Sequence, residues 1–109
     1  MAAVPPSRTA VQRQAAARAA VEARRLRADV KNQVRQGYVS CSQVIDMAFE
    51  DSDIGRAVAR MTIGELLLSV PGVGPARADT QLVALGIRGD RRLRALGPRQ
   101  RDGLRQVFW

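Results

Sequence analysis

One run in the second half of the chain, Ser69-Val70-Pro71-Gly72-Val73-Gly74-Pro75-Ala76-Arg77-Ala78, has the residue types and spacing to hold an anion with main-chain atoms alone. Two glycines flanking a valine allow a sharp turn. Pro75 opens a helix at the position where a missing N–H costs nothing, and the N–H groups of the turn and of the first helical turn form a nest for a phosphate. Val73 is the expected buried pin. Gly72, Gly74 and the backbone of Ala76 and Arg77 would face the phosphate, and the Arg77 side chain would complete the contact. In a neutral protein the same run would read equally well as a plain corner between two helices.

The chain is far from neutral. Its 109 residues carry 18 Lys and Arg against 10 Asp and Glu, with no histidine, for a formal charge of +8 and an isoelectric point near 11.5. Lys31 is the single lysine, and arginine's planar fork suits bidentate phosphate recognition. The charge is segregated: +6 over residues 1–36, −3 over 40–69 and +5 over 71–109. Polyanions are the expected partners.

Two further groups of basic residues extend this surface. Around a second glycine-closed corner, Gly97-Pro98, stand Arg88, Arg91, Arg92, Arg94, Arg99 and Arg101. Of these, Arg91, Arg92, Arg94, Arg99 and Arg101 join Gly97 as expected phosphate contacts beside the one held by Gly72 and Gly74; the competing reading is a solvated face of two short helices. In the first third, Arg24, Arg27, Lys31 and Arg35 recur every three or four residues. They form one helical stripe, either a second DNA contact or an ordinary solvated surface.

Enzymatic chemistry finds little to work with. General acid/base catalysis needs a poised histidine or paired carboxylates, whereas Glu50, Asp51 and Asp53 look like an exposed helix end. Cys41, the one cysteine, excludes an intramolecular disulfide and, without histidine, the usual zinc sites; a buried apolar role suits it best. No catalytic residue, cofactor or metal is expected. The four aromatic residues, Tyr38, Phe49, Phe108 and Trp109, are too scattered for a base-stacking platform, which favours duplex over single-strand binding. No apolar run approaches the roughly 18 residues needed to span a bilayer, and the start of the chain lacks the pattern of a signal peptide. The cytoplasm is the expected compartment.

These residues must be positioned by helices, since no segment alternates as a strand does. Residues 1–8 carry Pro5-Pro6 and are expected to be disordered. From Thr9, a plausible N-cap, to Gln36 neither Pro nor Gly interrupts an Ala- and Arg-rich stretch, which predicts one helix of roughly 40 Å capped by Gly37. Its Leu26, Val30 and Val34 would dock on a core; its alanine-rich first half would project as an arm. A globular helical module then fills 40–109. Within it a second helix, capped by Ser40 or Ser42, runs to about Glu50 with Val44, Ile45, Ala48 and Phe49 inward. A short helix follows near Ile54–Ala59, and Asp46 and Asp53 are candidate caps. Thr62-Ile63-Gly64-Glu65 has the form of a capping box before Leu66, Leu67, Leu68 and Val70. A fourth helix from Pro75 to Gly86 should bury Ala78, Leu82, Val83 and Leu85. One turn at Arg91–Ala95 and a last helix from Arg99 to Val107, with Leu104 and Val107 inward, complete an all-α fold.

The order of these residues resembles the actinobacterial integration host factor family of nucleoid-associated proteins. The resemblance covers most of the chain from about residue 5. Its carriers are the stretch Arg24 to Asn32, Val44-Ile45, Asp53-Ile54-Gly55-Arg56, Leu66-Leu67 with Val70 to Gly74, Leu85-Gly86-Ile87, Arg91 to Gly97, and Gln100. Two departures are visible: Arg56 to Met61 is longer and less basic than the family's usual turn, and Pro75 stands where a lysine is common. The resemblance implies a monomer with a long N-terminal helix packed on a helix-two-turn-helix module like that of a ribosomal small-subunit protein. It also implies binding and bending or compaction of duplex DNA with little sequence preference, and a role in phage integration, beside an integrase, and in chromosome organisation in the nucleoid. The alternative from another functional class is a structural RNA-binding protein of the ribosomal helix-two-turn-helix type.

Overall fold

A long helix, α1 (Pro6–Arg35), leads into five shorter ones: α2 (Cys41–Met47), α3 (Asp53–Ala59), α4 (Ile63–Ser69), α5 (Pro75–Leu85) and α6 (Pro98–Val107), with a single 3-10 turn at Leu93–Ala95 between the last two. The structure, a computed structural model, describes the backbone of residues 6–108 and the side chains of residues 9–108. Among the described residues there is no strand, and one isolated bridge joins Thr62 to Arg92. No helix there is long and apolar enough to cross a membrane.

α1 starts three residues before the expected cap at Thr9, at Pro6. A proline in the first helical turn lacks only a hydrogen bond that no residue makes there, so Pro6, Ser7 and Arg8 join the helix instead of preceding it. The rest of the segment expected to be disordered, residues 1–5, lies outside the described residues. Thirty residues at 1.5 Å rise make a rod of about 45 Å. Residues 9–22 are exposed throughout, whereas Val30 and Val34 are buried against the module. The molecule accordingly measures 61 × 28 × 25 Å with a radius of gyration of 17.2 Å, well above the roughly 13 Å of a compact chain this long.

Local chemistry explains where the short helices begin. Ser40 caps α2 in a reciprocal box, its hydroxyl accepting from the Gln43 N–H at 3.1 Å while the Gln43 side chain accepts from the Ser40 N–H at 2.8 Å. Thr62 accepts from the Glu65 N–H at the start of α4. The cap of α3 is Ser52, whose hydroxyl accepts from the Gly55 N–H at 3.0 Å, and neither Asp46 nor Asp53 caps a helix; Asp53 instead pairs with Arg56 and Asp46 with Arg105.

The base of α1 packs on α3 and α4, α2 on α3 and α6, α4 on α5, and α5 on α6. The shared core contains Val44, Ile45, Val58, Met61, Ile63, Leu66, Leu67, Leu93 and Leu104, all fully buried. Three expected core residues lie outside it. Leu26, one turn before Val30 on α1, is only half-buried. Phe49 is 44% exposed because α2 stops at Met47, one turn short of carrying the ring onto the inner face. Val83 is 72% exposed because α5 turns Ala78 and Leu82 inward and Val83 lies about 100° further round. Leu85 and Val107 are partly buried at the edge. Cys41 is buried at the first residue of α2, and desolvation pushes its thiol from 9.0 up to about 12.

Candidate nucleic-acid interface

α4 ends at Ser69, Val70 is extended at ψ 128°, and Pro71 cannot continue the helix. The chain then reverses through Gly72, at φ +79°, a left-handed conformation that a side chain would strain. Val73 turns inward at 7% exposure, its N–H donating to the Val70 carbonyl at 3.1 Å, and pins the hairpin to the core. Gly74 is the N-cap of α5 with ordinary extended angles, φ −91° and ψ 176°. The first backbone bond of the helix runs from the Ala78 N–H to the Gly74 carbonyl.

The outer side of this turn is bare. Gly72, Gly74, Pro75, Ala76 and Arg77 are all exposed, and no side chain caps α5. The N–H groups of Ala76 and Arg77 belong to the helix's first turn and have no intrahelical acceptor. A Cβ built on Gly72 or Gly74 meets nothing within 4 Å. Only the conformation of Gly72 demands glycine for folding; at Gly74 the missing side chain simply leaves the backbone approachable from outside. The helix's positive end and its free donors therefore face solvent together, which is the arrangement that binds a phosphate oxygen.

Gly97 is likewise the N-cap of α6, but its own N–H donates to the Gln100 side chain at 3.0 Å, so this corner is partly satisfied from within. The two corners are not adjacent. Arg77, beside the hairpin, lies over the ring of Phe108 at the C-terminal end of α6, and Gly97 caps the opposite end, about 15 Å away along the helix. Packing α5 on α6 has placed a rigid helix between two turns that the sequence suggested would sit side by side.

The site arginines divide by what holds them. Arg91 donates from Nε to the Ala95 carbonyl at 2.9 Å, and Arg92 donates from Nη1 to the Arg60 carbonyl. Arg94 and Arg99 are exposed, with no acidic partner among the described residues. Arg101 lies over the ring of Phe49 at 4.2 Å, as Arg77 does over Phe108 at 5.7 Å. Nothing local in the sequence announced these rings, because each partner is far along the chain and no periodicity marks it. Arg88 is paired with Asp90.

On α1, Arg24 and Arg35 are exposed, but Arg27 and Lys31 are half-buried, and Arg27 donates from Nη1 to the Ala57 carbonyl of α3 at 3.3 Å. The stripe thus spends one of its four cations on fastening α1 to the module. Arg56 is occupied by Asp51 and Asp53, and Arg105 by Asp46 and Asp102. Among the described residues no group of His, Cys, Asp or Glu could hold a metal ion.

A long helix docked on a bundle of short ones, with a glycine-flanked hairpin between two of them, defines a helix-two-turn-helix protein. Residues 34–108 match the S13-like H2TH domain model. The chain is 42% identical over 103 residues to Integration host factor of Streptomyces coelicolor, covering 94% of this chain and 92% of that one. It is 38% identical over 103 residues to Integration host factor of Mycobacterium tuberculosis, covering 94% of each. The solved structure of sIHF bound to an 8bp palindromic DNA matches with a TM-score of 0.75 at 38% identity, over 83% of this chain and 97% of that chain. The chain belongs to the integration host factor family, as the order of its motifs implied.

Proposed function

We propose that this protein is an architectural DNA-binding protein of the nucleoid, which grips duplex DNA with little sequence preference, bends or compacts it, and acts without catalysis. The observation that carries the reading is the bare N-terminal end of α5 behind Gly72 and Gly74, a main-chain phosphate site set in a strongly basic surface. A relative of the same fold solved with DNA bound supports duplex DNA as the ligand. Phosphate contacts position a protein without reading bases, in keeping with binding across many sequences. Arg77 stands beside the hairpin, Arg91, Arg92, Arg94, Arg99 and Arg101 lie toward the other corner, and Arg24, Lys31 and Arg35 of α1 offer a further contact. With corners at both ends of α6, the protein would meet the duplex at separated points, and separated contacts are what convert binding into bending.

On this reading the protein works as a monomer in the cytoplasm, on chromosomal DNA, and supports phage integration by shaping the DNA on which an integrase acts. A circular-permutation assay on random-sequence duplexes tests it. Mobility that depends on the position of the bound site, without preference for a sequence, is the expected result; rigid binding to one sequence would mark a regulator instead. The match to an S13-like domain keeps one rival, a structural RNA-binding protein. A mobility shift comparing duplex DNA with structured RNA at equal salt decides between them.

A further inference from the structure

Arginines in a phosphate-binding surface can be held in place in two ways. Arg88, Arg56 and Arg105 are held by carboxylates, and Arg91 and Arg92 by backbone carbonyls. Each such contact fixes the side chain but consumes donors, and a carboxylate also cancels the charge. Arg101 and Arg77 are held differently, over the rings of Phe49 and Phe108. Both distances lie within the roughly 6 Å over which a ring face attracts a guanidinium. Among the described residues neither arginine makes a side-chain hydrogen bond or an ion pair. A ring attracts the guanidinium charge without supplying a carbonyl or carboxylate acceptor, so the N–H groups stay unspent.

We infer that Phe49 and Phe108 are positioning residues for phosphate binding, each bracing one arginine by its ring face so that the whole fork stays available to the DNA backbone. The inference rests on the proposed reading of this surface as a duplex interface. Phe49 and its neighbour Asp51 divide the nearby arginines: Asp51 pairs with Arg56, and the Phe49 ring takes Arg101. The two braces have distinct places. Arg101 is on the first turn of α6 and Phe108 closes its last, so the braced forks lie at opposite ends of the helix, each near one of the two glycine corners. Bracing reduces the freedom a long side chain must lose on binding. At an exposed site a guanidinium–ring contact contributes a factor of about 2–5.

The experiment is a double-mutant cycle, read by fluorescence anisotropy on a random-sequence duplex at fixed salt. Phe49→Leu removes the ring face at a half-exposed position while keeping an apolar side chain, so its thermal midpoint should stay near wild type. Its affinity should fall about 2–5-fold, Phe49→Trp should restore binding, and Phe49→Leu combined with Arg101→Gln should bind no more weakly than Arg101→Gln alone. Wild-type affinity for Phe49→Leu with weakened Arg101→Gln, or strictly additive losses in the double variant, would overturn the bracing role and leave the interface standing. An unaffected Arg101→Gln would overturn the bracing role at this site by removing Arg101 from the interface, which the hairpin variants test separately. The same cycle with Phe108→Leu and Arg77→Gln examines the buried brace, and the Phe49 cycle decides the inference should Phe108→Leu fail to fold.

Discussion

Gly64 donates its backbone N–H to the Gly89 carbonyl at 2.9 Å, and a Cβ on Gly64 would stand 2.9 Å from that same oxygen. The contact is one of three that fasten the arginine-rich segment after α5 to the start of α4. The Ile63 N–H donates to the Arg91 carbonyl, and the Leu93 N–H to the Met61 carbonyl, each at 2.9 Å. Two N–H groups that the first turn of a helix leaves unpaired are thereby satisfied, and Arg91 and Arg92 are placed by backbone instead of by loop flexibility.

Gly64→Ala should therefore lower stability. An exposed helical glycine gains up to about 1 kcal/mol on becoming alanine, but here the new methyl would push against a backbone oxygen that cannot swing aside. A net loss of about 1–2 kcal/mol is expected, in the range of overpacked sites. Urea unfolding measures it, and a gain in midpoint would mean that the strap yields freely.

The two hairpin glycines should separate folding from binding. Gly74→Ser meets open space and ordinary backbone angles, and a serine N-cap satisfies one free donor, so stability should hold or rise slightly. Affinity for duplex DNA should drop at least about tenfold, the loss of a charged hydrogen bond or more. Gly72→Ala, at φ +79°, should cost about 1–2 kcal/mol in folding as well. Thermal melts beside anisotropy titrations distinguish the two, and unchanged binding by a folded Gly74→Ser protein would remove the hairpin from the interface.

Salt should weaken binding steeply. With about 5 phosphates neutralised, log K falls against log salt with a slope near −4.5 on a duplex. Titrations between roughly 50 and 200 mM salt give the slope directly. A flat response is incompatible with a phosphate-gripping surface.

Cys41 sets an alkaline limit on stability. Its thiol ionises near 9.0 when exposed and at about 12 in the fold, so above the lower value the unfolded chain binds fewer protons than the folded one. The contribution of the buried neutral thiol is complete below pH 9 and is lost as pH rises toward 12, by up to about 1.4 kcal/mol per pH unit within that window. Denaturation curves at pH 8 and pH 10.5 for the wild type and Cys41→Ala should converge at the higher pH. At pH 8 the native thiol should also resist thiol-specific reagents until the protein is unfolded.

Much of the fold was legible because it is written in local terms. The long helix follows from an uninterrupted run of good helix formers; Ser40 and Thr62 mark helix starts through bonds spanning three residues, and Pro75 marks one through its fixed φ and missing N–H. The buried pair Val30 and Val34 follows from spacing alone. The candidate hairpin was legible for the same reason, since Gly72 to Arg77 carry its whole geometry. Other positions depended on where neighbouring helices stop. Phe49 fell outside the core because α2 ended early, Val83 because α5 settled on Ala78 and Leu82, and the single apolar residues Leu93, Leu96 and Phe108 were buried by elements distant in sequence.

By itself the sequence determined the helical class, the family, the net charge and the glycine-flanked turn, all properties of composition and of contacts a few residues long. Tertiary structure alone decided what holds each arginine: Arg27 is drawn to Ala57, Arg92 to Arg60, Arg105 to Asp46, and Arg77 and Arg101 are placed over rings. It also decided that the two glycine corners stand at opposite ends of α6. A guanidinium takes whatever carbonyl, carboxylate or ring the fold brings within about 6 Å, and that neighbour is chosen by packing between helices, which no spacing along the chain encodes.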